Sequence, residues 1–118
     1  MTRSRLRWSS LTLAAAVFAG ATLGFLSWRR SQGLAQEHAA RAQKALDEMG
    51  RHYANVNVCL EALKTARRPS EKASIEAIMR SSRSRIVKLE EAAARHERLA
   101  RDHGYRAPLK RPDPDAKP

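Results

Sequence analysis

One stretch near the N-terminus constrains the fold of this chain more than any other feature. Residues 8–28 contain no charged side chain and read WSSLTLAAAVFAGATLGFLSW. A helix of this length rises about 31 Å, which matches the roughly 30 Å hydrocarbon core of a bilayer. Trp8 and Trp28 stand at its two ends, where indole rings favour the headgroup region. The segment therefore predicts a transmembrane helix.

Three interpretations of this segment compete: a retained anchor, a cleaved signal peptide and a cleaved transit peptide. A basic flank, residues 1–7, precedes the apolar run, and Arg29 and Arg30 follow it. A signal peptide usually has a shorter apolar region that ends at an A-x-A-like site, whereas Ala14–Ala16 lie inside the run. A transit peptide is amphipathic, and this run is apolar on every face. We therefore favour the retained anchor.

Small residues recur at every fourth position of the predicted span, at Ala16, Gly20 and Gly24. They lie on one helix face, where they allow close van der Waals contact with another helix in lipid. Small residues are also common in spans generally, so the pattern fits a packing face and an ordinary span equally well. The dense charge of residues 1–7 favours placing this flank on the cytosolic or matrix side, with the C-terminal part across the membrane.

Two amphipathic helices are predicted after the span, over residues 31–66 and 71–103. Both carry apolar or small residues at four-three spacing, which is typical of a coiled-coil seam. The candidate interface residues are Leu46, Met49, Tyr53, Val56, Leu60, Leu63, Ile75, Met79, Ile86 and Leu89.

A hinge at residues 67–70 separates these two helices. Pro69 cannot donate a hydrogen bond to the preceding turn, and Ser70 is suited to cap a new helix. The near-equal helix lengths favour an antiparallel hairpin, and an extended rod that dimerises in parallel is the alternative. In either arrangement the fold is all-α, and its small core favours association with a partner.

The C-terminal segment, residues 104–118, holds four of the five prolines. Gly104 is a natural stop for the second helix. The residues after it are predicted to be extended and disordered, because a chain rich in proline and charge buries too little apolar surface to fold.

No catalytic, cofactor or metal site is predicted, and an enzyme is not expected. The sequence has no Gly-rich phosphate loop and no GxSxG motif. Its four histidines and Cys59 show no HxxxH or CxxC spacing of the kind that holds zinc. In a hairpin, His38 would face His96, and histidines in the seam would weaken it when protonated. We expect Cys59 to pack beside the seam rather than to react.

The net charge of +11 bears on the choice of partner. Such charge attracts anionic lipid headgroups, acidic proteins or nucleic acid. Nucleic acid is not favoured, because Tyr105 is the only aromatic residue within the basic C-terminal third. The expected partners are a helical protein or a second copy of the chain, together with the membrane.

These features predict a single-pass, membrane-anchored adaptor or assembly subunit of an inner-membrane complex, acting through coiled-coil and transmembrane helix contacts. The first 36 residues contain Arg but no acid, which favours the mitochondrial inner membrane, with a bacterial inner membrane as the alternative. An N-terminal anchor, two helical segments and a Pro-rich end are also similar in architecture to the inner-membrane subunits of phage spanins. That resemblance implies a role in bridging to the outer membrane during lysis. Cleavage of the first segment would instead leave a soluble basic module that binds nucleic acid.

Overall fold

The described residues form two helices, α1 (Thr2–Thr65) and α2 (Pro69–Asp102), followed by a non-helical C-terminal segment. The computed structural model describes the backbone of residues 2–117 and the side chains of residues 9–117. The predictions for the side chains of Arg3, Arg5, Arg7 and Trp8 fall outside this range. Within the described residues there is no strand, and the long apolar helix lies near the N-terminus. The all-helical fold is therefore confirmed.

Helix α1 runs without interruption from the apolar segment into the amphipathic one. The sequence predicts two separate helices, 8–28 and 31–66, and this boundary is wrong. Residues 29–34 read RRSQGL and contain no proline, while Gly33 costs a helix only about 1 kcal/mol relative to alanine. The long helix makes the molecule a thin rod with extents of 101 × 19 × 13 Å.

Helix α2 folds back along the second half of α1, so the two helices form an antiparallel hairpin. At its open end, Ser31 contacts His103 and His38 contacts His96. Ala42 and Ala100 have no exposed surface, which indicates a close approach of the helices there. The core cluster consists of Ala45, Leu46, Met49, Val56, Cys59, Met79, Ile86 and Ala93, with Tyr53, Leu63, Ile75, Leu89 and Leu109 packed against it.

Leu60 departs from the seam expected from its spacing, because its side chain is 41% exposed. It borders an open groove together with Val58 and Lys117, at the point where the C-terminal segment ends. Cys59 is buried in the core instead, at 9% exposure. Cys59 and not Leu60 therefore lies on the side of α1 that packs against α2.

The turn between the helices starts α2 at Pro69, one residue before the predicted cap. Arg68 is the N-cap in extended conformation, with φ −87° and ψ 135°, and makes no side-chain capping bond. Ser70 therefore lies inside the first turn and is not the cap. Proline is suited to the first helical position because its missing N–H would have no intrahelical acceptor there.

Helix α2 ends in a Schellman motif around Gly104, the glycine at which the sequence predicts a stop. The Tyr105 N–H donates to the Ala100 carbonyl at 2.9 Å, and the Gly104 N–H donates to the Arg101 carbonyl at 3.0 Å. Gly104 has a φ of +94°, which only glycine adopts at little cost. This motif reverses the chain and directs the following residues back along α1.

The C-terminal tail, residues 105–117, is not helical. It lies against α1 and is not the free segment that its composition predicts. Gln43 of α1 holds Lys110 by two hydrogen bonds, from its amide nitrogen to the carbonyl and from the Lys110 N–H to its amide oxygen, each 2.9 Å. Asn57 donates to the carbonyls of Pro114 and Ala116. The tail also lies close to α1 at Gly50, where an added Cβ atom would be 3.4 Å from the Cβ of Pro112, an ordinary van der Waals distance.

Replacing Gln43 by alanine is expected to release the middle of the tail. The change removes both hydrogen bonds to Lys110, each worth about 1 kcal/mol. We expect hydrogen exchange at the Lys110 amide to accelerate roughly tenfold, as measured by hydrogen–deuterium exchange mass spectrometry of tail peptides. Gln32→Ala, at an exposed position that does not bond Lys110, is the matched control. Equal exchange in both variants would contradict the placement of the tail.

Candidate functional site

The apolar half of α1 is uncovered by the rest of the described chain. It is the one described helix long and apolar enough to cross a membrane. Its large side chains range in exposure from 54% at Leu26 to 76% at Phe18. The hydroxyls of Thr12 and Thr22 donate to the carbonyls of Ser9 and Phe18, three and four residues back along the helix. Such bonds satisfy polar groups internally, as a lipid environment demands.

The end of the apolar segment carries an aromatic and basic boundary. The rings of Phe25 and Trp28 lie with their centroids 6.0 Å apart, and Trp28 is exposed. Arg29 and Arg30 follow in the next turn and are also exposed. An indole followed by guanidinium groups is suited to the headgroup layer of a bilayer. The hairpin begins directly after this boundary, since Ser31 already contacts His103.

Ala16, Gly20 and Gly24 lie on the bare part of α1. No heavy atom from elsewhere in the described chain lies within 4 Å of a Cβ built on Gly20 or Gly24. The face they form is free to receive another helix, and its use for packing stays a prediction.

The two predicted seams pack against each other within one chain. Leu46, Met49 and Val56 of α1 share a core with Met79 and Ile86 of α2, while Tyr53, Leu63, Ile75 and Leu89 flank it. We predicted that these residues would bind a partner helix or a second copy. Because they are covered internally, the large apolar side chains left at the hairpin surface are Val58, Leu60, Ile78 and Val87.

A cluster of three histidines joins the helices at the open end of the hairpin. The Nδ1 atoms of His38 and His96 lie 3.2 Å apart, as a hairpin folded about residues 67–68 requires. The His38 and His103 rings lie nearly parallel, with centroids 6.1 Å apart and an interplanar angle of 6°. His103 Nδ1 in turn lies 3.2 Å from the Ser31 hydroxyl. We refer to His38, His96 and His103 as the histidine cluster.

Burial lowers the pKa of His96 below its ordinary value of 6.5, and the neighbouring His38, Arg41 and Arg95 add to the decrease. All of these groups disfavour a positive charge on the ring. His96 is thereby held neutral in the folded hairpin at pH 7.

The described residues show no arrangement for holding a metal ion. No three His, Cys, Asp or Glu side chains converge as a metal ion would require. Cys59 is a buried free thiol in the core. It lies five to six helical turns along α1 from His38, and is therefore far from the histidine cluster. The contact of His38 with His96 joins α1 to α2.

An ionic contact that the sequence analysis missed joins the tail to α2. Glu97 pairs with Arg101 at 3.5 Å within α2 and with Arg111 of the tail at 3.1 Å. The first pair has the i,i+4 spacing that helices favour. The second joins residues 14 positions apart, and no local pattern could have indicated it.

The described surfaces thus comprise a bare apolar helix, a closed hairpin and a covering tail. None of them carries a motif that is tied to one biochemical activity. Comparison with known proteins adds no assignment, because no family model, curated protein or solved structure matches the chain.

Proposed function

We propose that this chain is a single-pass membrane protein whose helical hairpin serves as an adaptor or assembly subunit of an inner-membrane complex. One observation carries the proposal. The exposed apolar segment and the first helical arm of the hairpin are parts of one continuous helix, Thr2–Thr65. An exposed apolar surface of this length needs cover, and a bilayer provides it.

The continuous helix gives the adaptor a defined geometry. The 37 residues of α1 from Arg29 to Thr65 follow Trp28, so the hairpin would extend roughly 55 Å from the headgroup layer. Because no proline or turn interrupts α1 at the boundary, the orientation of the anchor fixes the direction of the hairpin. A flexible linker would not transmit orientation in this way.

The surfaces available to a partner differ from those expected on seam spacing alone. With the seams covered internally, contacts in the membrane would use the face of Ala16, Gly20 and Gly24. Contacts outside it would use the exposed apolar side chains of the hairpin, such as Ile78 and Val87. Arg29 and Arg30 favour anionic headgroups at the boundary. The proposed partner is a helical membrane protein or a second copy of the chain.

Carbonate extraction of native membranes, with the intact mass measured on the same fraction, tests the anchor. We expect the full-length chain in the pellet, because alkaline carbonate removes proteins held by charge but not those that span the bilayer. A parallel high-salt wash identifies attachment by the basic residues alone. A shortened chain in the supernatant would overturn the proposal and identify the first segment as a leader. The basic hairpin would then be tested as a soluble nucleic-acid-binding module.

A further inference from the structure

The two halves of the hairpin interface differ in how much apolar surface they bury. The part of the interface from Leu46 to the turn contains the core cluster, which includes Met49, Met79 and Ile86. The part nearer the anchor is closed mainly by small residues. Its buried side chains are Ala35, Ala39, Ala42 and Ala100, and its larger apolar side chains, Leu34 and Leu99, are only partly buried. Because hydrophobic stabilisation follows the apolar area buried, the anchor-proximal half is the weaker one.

The histidine cluster lies in this weaker half. The contact between His38 Nδ1 and His96 Nδ1, at 3.2 Å, requires that one nitrogen carry a hydrogen and the other a lone pair. Two neutral rings meet this requirement, as does one neutral ring beside one imidazolium. Two imidazolium rings do not, since both nitrogens would then carry hydrogens and both rings a positive charge.

The charged groups around the cluster oppose its protonation. The pKa of His96 is lowered by the positive charges of Arg41 on α1 and Arg95 on α2, and also by the neighbouring His38. The carboxylates on the same turns are engaged elsewhere, Glu37 with Arg41 and Glu97 with Arg101. From the tail, Arg111 adds a further positive charge and pairs with Glu97. Among the described residues, no carboxylate forms an ion pair with any of the three rings, and this includes Asp102, which adjoins His103 in sequence.

We propose that the histidine cluster is a proton-operated latch, which holds the anchor-proximal end of the hairpin closed when neutral and opens that end when more than one ring is protonated. The apolar half and the turn would stay closed, because Leu46, Met79 and Ile86 bury more apolar surface than the alanines do. Opening would free the end of α2, with its Schellman turn, directly beside the membrane boundary at Ser31.

The direction of the pH effect follows from the lowered pKa of His96. His96 binds a proton less readily in the closed hairpin than in the open state. Its contribution to the stability of the closed hairpin is therefore complete above pH 6.5, the ordinary pKa of the ring. That contribution is lost as the pH falls below 6.5 toward the folded value, because the open state takes up the proton first. Acidification therefore favours opening, and the latch is closed at neutral pH.

Distances between pairs of spin labels on the full-length chain in nanodiscs test the latch. With Cys59→Ala as background, labels at Ala40→Cys and Arg98→Cys report on the anchor-proximal end. Labels at Asn55→Cys and Arg80→Cys report on the apolar half, and all four positions are exposed. Between about pH 8 and about pH 5 we expect the first distance to lengthen and broaden by several Å, while the second stays constant. EDTA in the buffer removes adventitious metal ions.

Two variants separate the latch from a general effect of acid. His38→Gln combined with His96→Gln keeps a neutral hydrogen-bonding pair and is expected to abolish the response. His52→Gln, on α1 but outside the histidine cluster, is expected to leave it intact. A constant anchor-proximal distance in the unmodified cluster, or an equal response in the double glutamine variant, would overturn the proposal. A change in both label pairs together would also overturn it, because it would mean global unfolding.

Discussion

Replacing Leu46 by aspartate is expected to open the hairpin throughout its length. Leu46 is only 3% exposed and lies in the core cluster beside Met49. Burying a carboxylate there without a partner costs at least about 3 kcal/mol, which is a large part of the stability that so small a core supplies. Cys59 gives the readout, because its buried thiol becomes reactive when the helices separate. We expect its labelling by a maleimide to accelerate roughly a hundredfold, the factor that about 3 kcal/mol corresponds to.

Leu60→Asp is the matched control for this prediction. Spacing assigns Leu46 and Leu60 equivalent seam positions, yet Leu60 is 41% exposed at the edge of an open groove. An aspartate there stays solvated, and we expect the labelling rate of Cys59 to change by less than about threefold. Similar acceleration in both variants would contradict the observed interface. It would indicate that Leu60 lies in the contact between the helices, as the four-three spacing predicts. Circular dichroism of both proteins checks that loss of helix accompanies thiol exposure.

The all-helical fold and the two ends of α2 follow from local sequence patterns, whereas the continuity of α1 does not. Apolar periodicity locates both amphipathic segments, and Pro69 and Gly104 mark the start and end of α2. Residues 29–34 carry no helix stop, and α1 continues through them although the chain changes there from apolar to amphipathic. A change in composition alters what surrounds a helix, and it does not by itself end one.

Local sequence patterns do not predict that the tail covers part of α1. This cover depends on two amides, Gln43 and Asn57, bonding backbone groups 57 to 67 residues away. It depends also on the chain reversal at Gly104, which points the tail along α1. Composition indicates that the tail is not helical, since prolines prevent a helix there. It does not reveal that polar side chains of a neighbouring helix supply the hydrogen bonds that this backbone lacks.

Phe18→Arg is expected to abolish stable insertion of the anchor. Position 18 is the centre of residues 8–28, and its side chain is 76% exposed on the bare helix. The strongly apolar side chains of the segment favour insertion by only a few kcal/mol in total, at about −0.3 to −0.6 kcal/mol each. These side chains are Leu11, Leu13, Val17, Phe18, Leu23, Phe25 and Leu26.

An arginine at the centre of a span costs about 2.5 to 3.5 kcal/mol, so a single substitution offsets nearly all of that gain. We expect the variant to move from the carbonate pellet to the supernatant, with Phe18→Leu remaining in the pellet. Val58→Arg, which places the same charge at an exposed position of the hairpin, should also remain there. The hairpin itself should be unaffected, because its buried residues begin at Ala35 and the apolar segment that carries position 18 is not buried. Slow labelling of Cys59 in the extracted variant would show this directly.

Retention of Phe18→Arg in the pellet, with Cys59 still protected, would contradict the prediction. It would mean that the hairpin holds the chain to the membrane. The exposed apolar helix would then require a protein rather than a lipid as its cover.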